Sequence, residues 1–142
     1  MIGQALADSI GSDLDGSFGS VPGSTSKGAT KFNELASSNG MDGTAPYVAQ
    51  SYDAAALIAL AIQKGGSADK KSILSNISRV ANAPGIKIMA GQLSYGLQMI
   101  AAGNEIDYQG ATDVEFNAFG DAYGSFLEQE VMSGSFVTIQ QR

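Results

Sequence analysis

The stretch from Pro46 to Gly66 constrains this chain more than any other. Ala54, Ala55, Leu57, Ile58, Leu60, Ala61 and Ile62 follow one another with almost no polar interruption. A helix over Tyr47–Lys64 is therefore apolar nearly all round, and such a helix belongs inside a fold. Its apolar run is far shorter than the ~20 residues a membrane-spanning helix requires, so no span is expected. Pro46 suits its opening and Gly65-Gly66 its end. A helix buried on every side needs a multi-stranded sheet to pack on. The remaining sequence offers only two or three recognisable strands, so the chain is expected to be part of a larger α/β body.

On either side of this helix the pattern is plainer. Ala5, Leu6 and Ile10 fit the end of a helix, Asp13–Gly16 a turn, and Ser17–Val21 a strand stopped by Pro22-Gly23. Ala29, Phe32, Leu35 and Ala36 predict a helix over Lys27–Ser37, ended by Asn39-Gly40. Ser67 is expected to cap a helix with Ile73, Ile77 and Val80 inside and Arg79 in its last turn. Asn82–Gly85 reads as a turn, and Leu93, Leu97, Ile100 and Ala101 predict a helix over Gln92–Ala102. Ile106–Asp121 reads as loop. Tyr123–Met132 and Phe136–Ile139 read as strands joined by Ser133-Gly134.

Composition limits the chemistry. Eight basic residues against fourteen acidic ones give a net charge of -6, which disfavours nucleic acid as a partner. With no histidine the usual neutral-pH general base is missing, and with no cysteine there is no thiolate nucleophile. An enzyme is not expected, nor a cofactor or metal. Ser24 and Lys27 match the S-x-x-K pattern of penicillin-recognising enzymes, but the S-D-N and K-T-G elements are missing, so Ser24–Ser26 are read as helix-capping residues. The glycine-rich run Gly16–Gly28 lacks the Gly-Lys-Ser/Thr order of a phosphate loop, because Lys27 precedes Gly28. Asp13, Asp15, Asp107 and Asp113 do not meet the calcium-loop spacing and read as solvated turn carboxylates. Glu128 and Glu130 share one side of a strand, either as a carboxylate pair or as a plain exposed face. Tyr47 and Tyr52 can pack on the core or contact a ligand. The opening Met1-Ile2-Gly3-Gln4 has no basic segment followed by an apolar run, so no signal peptide is expected there.

A series of motifs in order adds a resemblance. Pro46-Tyr47-Val48-Ala49-Gln50-Ser51-Tyr52-Asp53-Ala54-Ala55 runs into the apolar helix, followed by Val80–Gly85 and by Ala101-Ala102-Gly103-Asn104-Glu105-Ile106-Asp107-Tyr108-Gln109-Gly110-Ala111. Val114-Glu115-Phe116-Asn117 and Gly120-Asp121 complete it. From about Pro46 to Asp121 this resembles the C-terminal portion of the periplasmic Leu/Ile/Val-binding proteins, the receptors of branched-chain amino acid ABC importers. Asp113 and Asn117 depart from the glycine and aspartate common in that family. The resemblance implies a partial type I periplasmic-binding-protein fold, with 1–23 a remnant of the second lobe, 24–124 the C-terminal part of the first, and 125–142 a return to the second. Hinge strands would lie near Gly23 and Gly124. It also implies an amino-acid-like ligand held on lobe closure, an ABC permease as partner, and an extracytoplasmic parent protein. Tyr47 matches the aromatic that lines the pocket for the aliphatic side chain. Most polar anchors of the family fall outside this sequence, so weak ligand binding and self-association through exposed first-lobe surface are expected. Two other readings remain: a ligand-sensing regulatory domain of the same fold, and a hydrolase using Ser24 or the strand carboxylates.

Overall fold

A computed structural model describes residues 4–142. The expectations that rest on Met1–Gly3, the signal-peptide reading among them, concern residues outside that range. In chain order come helix α1 (Gln4–Ile10), a 3-10 turn (Gly11–Leu14), β1 (Phe18–Pro22), α2 (Lys27–Ser38), α3 (Val48–Gly65), α4 (Lys70–Ala81) and β2 (Ile86–Met89). Then follow α5 (Leu93–Ala101), β3 (Ile106–Gly110), β4 (Glu115–Phe116), β5 (Ala122–Tyr123), β6 (Phe126–Met132) and β7 (Ser135–Gln141).

The helices gather around β2 and β3, which pair in parallel with Ile86 opposite Ile106 and Ile88 opposite Tyr108. Helix α5 makes the crossover between them, as a parallel pair demands. Helix α3 packs on α4, α5 and β3. Its buried stripe, Ala56, Leu57, Leu60 and Ala61, meets Val80, Ile88, Ile100, Ile106 and Tyr108 in one core. Gly96 sets the spacing there: a Cβ on it would stand 3.0 Å from Leu60 and 3.3 Å from Ile88. The expectation that α3 is buried all round is corrected. Ala54, Ala55 and Ile58 face solvent, Ile58 being 44% exposed. Two of these three are alanines, whose exposure strands little apolar area, and run-length alone could not distinguish that from burial.

Ile106–Asp121 is not loop, since it contains β3, almost wholly buried, and β4, which pairs with β5 just beyond it. Strand β2 has four residues wedged between a turn and a helix, too few to show a period. Ser67 does not cap α4. The N-cap position is Asp69, whose side chain makes no capping bond, while Ser67 Oγ accepts the Asp69 N–H (3.1 Å) and donates to Asp69 Oδ2 (2.8 Å).

The remaining strands build an antiparallel sheet in the order β1-β6-β7. Pro22 lies opposite Phe126 and Phe18 opposite Glu130. Ser133 and Gly134, at φ 53° and 74°, form the left-handed turn that joins β6 to β7. Helix α1 lies against β7. The chain passes between this sheet and the helical block twice, after β1 and before β6. The two passages run side by side, with the Gly23 N–H donating to Ser125 O at 3.1 Å.

Candidate functional site

Where the helical block faces the three-stranded sheet there is a cleft of about 550 Å³. Ala29, Phe32 and Asn33 of α2 and Ala49 and Gln50 of α3 form one wall, and Leu127, Gln129, Phe136 and Thr138 the other. Alternation along the strands explains the second wall. Gln129 pairs with Thr138, so their side chains share a face of the sheet. Asp42 is the one charged residue among the described lining residues, and Ser24, Thr44 and Thr112 add hydroxyls. The floor is tied near the passages, where Thr25 donates through N and Oγ1 to Gln141 Oε1 (2.8 and 2.6 Å). Ser26 caps α2 by accepting the Ala29 N–H at 3.2 Å.

The rim loop is held by its own aspartate. Asp42 Oδ1 accepts from Thr44 Oγ1 (2.6 Å) and Thr44 N (2.9 Å), and these bonds hold its carboxyl below the usual carboxylate range. Tyr47 sits at the N-cap of α3 in the left-handed conformation (φ 67°, ψ 0°), half exposed; it does not itself line the cleft, although its sequence neighbours Pro46 and Ala49 do. A non-glycine residue pays roughly 1–2 kcal/mol for that backbone, and such costs concentrate at functional sites. Tyr52 belongs to the core instead. Its ring lies 5.0 Å from that of Phe32, and its hydroxyl accepts the Gly91 N–H at 2.8 Å.

The loop after β3 reaches the cleft through Thr112, and Asp53 fixes it there. This buried carboxylate accepts from Tyr108 Oη (2.8 Å), Ala111 N (2.9 Å), Thr112 N (2.8 Å) and Thr112 Oγ1 (2.7 Å). Burial raises the Asp53 pKa, with the donors pulling the other way. Burial and the neighbouring Asp53 also keep the Tyr108 phenol protonated. Sequence reading passed over Asp53 because a lone acid inside an apolar helix looks like an interruption. Gln50, Thr112, Gln129, Phe136 and Thr138 were passed over too. The Phe136/Thr138 alternation is the one local signal that could have shown a two-faced strand.

The other candidates scatter. Ser24 lines the cleft, and its Oγ accepts the Ser26 N–H (3.1 Å), while Lys27 is exposed at the start of α2. Glu128 and Glu130 stand on the face of β6 opposite Leu127 and Gln129, so the pair does not face the cleft. Glu128 is held by Gln140 and Arg142. Asp13 is exposed, Asp15 Oδ1 accepts the Gly134 N–H at 2.9 Å, and Asp113 occupies a left-handed turn (φ 52°). Asp107 is not the solvated carboxylate expected: it is 4% exposed on β3. Among the described residues no three carboxylates gather as a metal site, and no helix is long and apolar enough to cross a membrane.

The arrangement of a parallel α/β block beside a second sheet, joined by two adjacent chain passages, has a counterpart among solved structures. The crystal structure of the leucine-binding protein LivK from Thermotoga maritima MSB8 superposes with a TM-score of 0.64, covering 97% of this chain and 34% of that one at 21% identity. The chain has part of the type I periplasmic-binding-protein fold. In sequence, the chain is 30% identical over 94 residues to a chemotactic signal transduction system substrate-binding protein, BasB, of Halobacterium salinarum. That match takes in 66% of this chain and 23% of BasB, so the chain spans about a quarter of the curated relative and a third of the solved structure. No family model matches it.

Proposed function

We propose that the chain forms part of an extracytoplasmic solute-binding protein, that it is not an enzyme, and that the cleft is where its small amino-acid-like ligand lies. The observation that carries this reading is that the two walls of the cleft come from different parts of the fold, joined by two adjacent, antiparallel passages. Rotation about such passages closes walls on a ligand without disturbing either core. On this reading 24–124 belong to the first lobe, 1–23 and 125–142 to the second, and the hinge lies at Gly23 and Gly124. Tyr47, strained at the head of α3, is the aromatic that meets an aliphatic ligand side chain, whose burial is worth about 1.5–3 kcal/mol. With no Lys or Arg among its described lining residues, the cleft offers a ligand carboxylate only neutral donors: hydroxyls, backbone N–H groups and the side-chain amides of Asn33, Gln50 and Gln129. The polar grip therefore depends on residues beyond this sequence. The liganded parent delivers to an ABC permease, and exposed first-lobe surface leads this chain to self-associate.

Titrating the chain with L-leucine, L-isoleucine and L-valine, read by amide NMR, tests the site. Shifts are expected at Gly43, Ala49, Gln50 and Thr112 with an affinity near the millimolar range, about −4 kcal/mol, and Tyr47→Ala should weaken it several-fold. No shift with any of the three rejects the cleft as their site; micromolar affinity rejects the view that the grip is incomplete. Light scattering that gives a monomer at every concentration rejects self-association. A second reading, ligand sensing, is favoured by the similarity to a chemotactic substrate-binding protein. It differs only in what reads the closed form, a signalling partner in place of a permease.

A further inference from the structure

Behind the cleft wall lies a second cavity of about 330 Å³ that the ligand reading does not use. Leu57 and Ile58 of α3, Ile77 of α4, Phe116 of β4, and Tyr123 and Phe126 beside the second passage line it. Three of these converge around the opening while still facing solvent: Ile58 is 44%, Tyr123 65% and Phe126 47% exposed. Large apolar side chains gathered around a concavity of this size are the ordinary make-up of a small-molecule site. The polar end of the cavity restricts what enters. Asp53 is there, but Tyr108, Ala111 and Thr112 already fill its two oxygens, and none of the described lining residues is Lys or Arg. A ligand charge would find no partner, and an unpaired charge is not left in such a place.

We infer that this cavity is a second binding site, for an uncharged apolar molecule such as an alkylbenzene of about ten non-hydrogen atoms. Its position gives it a bearing on the cleft. Pro22, Gly23, Gln50 and Thr112 line both cavities, so the partition between them is a single layer of residues. Pro22, Gly23, Gly124 and Ser125 belong to the two passages, and an occupant wedges between those passages and α3. The site stands without the cleft reading; only its effect on ligand capture rests on it.

The test is titration of the whole chain with n-butylbenzene, read at the side-chain methyls of Leu57, Ile58 and Ile77. Saturable shifts are expected, with a dissociation constant below about 1 mM. Ala54→Trp should weaken binding at least tenfold. Ala54 is an exposed lining residue, so a larger side chain fills the cavity without entering the core. Absence of saturable shifts overturns the proposal, as do shifts indifferent to Ala54→Trp. It is equally overturned if those methyls respond to protein dilution and n-butylbenzene does not compete, because the occupant is then a second copy of the chain. Failure of the cleft reading shows separately, as an absence of L-leucine shifts at Gln129 and Thr138.

Discussion

Two buried aspartates of similar exposure do opposite things to this fold. Asp53 is surrounded by donors, so removing it leaves the Ala111 and Thr112 N–H groups and the Tyr108 hydroxyl buried without an acceptor. Each such group costs about 1–3 kcal/mol. Asp53→Ala is accordingly expected to destabilise the chain by about 3 kcal/mol or more, and Tyr108→Phe, which removes one donor cleanly, by about 1 kcal/mol; urea unfolding of both variants checks the ratio. Asp107 has no such company. Its Oδ1 is buried without a hydrogen bond, and burial raises its pKa against the pull of Lys87, with Glu115 adding to the rise. The folded state then holds the proton more tightly than the unfolded one. Stability is greatest where Asp107 is protonated and falls as pH rises through its raised pKa. Asp107→Asn should therefore gain about 1–3 kcal/mol at neutral pH, with the gain fading as pH falls into the carboxylate range. Melting temperatures of both proteins across that range decide it, and a gain that persists in acid contradicts the assignment.

At the level of elements, close approach matters more than propensity. Gly28 is buried in the first turn of α2, where an added Cβ would run into the Gly110 carbonyl oxygen. Helix propensity alone favours alanine there by about 1 kcal/mol. The collision is with backbone at the end of β3, directly before the loop that Asp53 pins, so Gly28→Ala is expected to lose about 1–2 kcal/mol net and to shift the amides of Ala111 and Thr112. Thermal denaturation with amide spectra reads both effects. Such approaches mark the limit of what the sequence could reveal. The helices were legible because apolar residues recur at helical spacing, as Ile73, Ile77 and Val80 do in α4, and glycines such as Gly40 and Gly66 stop them. The β6–β7 pair was legible from Ser133-Gly134. Strand β2 and the burial of β3 were not, because a parallel strand is recognised by what covers it, and that lies far away in sequence. The cleft was not legible: Tyr47, the site residue read from the sequence, is not among its lining residues, though its neighbours Pro46, Ala49 and Gln50 are. Its other wall comes from β6 and β7, whose side-chain alternation gains meaning only once α2 and α3 lie opposite.

For the molecule as a whole, what matters is how firmly the two parts are set against each other. The covalent connections are the passages at Gly23 and Gly124, and they are bonded to each other, so they move as one strip and not as two independent tethers. Across that strip Thr25, just ahead of α2, reaches Gln141 of β7 with both its N–H and its hydroxyl. All these groups are exposed to water, so the bonds add little to stability, about 0.5–1.5 kcal/mol each at most. Their consequence is orientational. Gln141 pairs with Leu127, a lining residue, and its bond to Thr25 therefore fixes the angle at which the sheet faces α2. Gln141→Ala is expected to lower unfolding stability by no more than about 1 kcal/mol while broadening the range of angles between sheet and helical block. Residual dipolar couplings, fitted separately to residues of α3–α5 and of β6–β7, measure that range directly. If one alignment tensor describes both parts as well in the variant as in the parent chain, the angle is set by packing along the strip and not by Thr25 and Gln141.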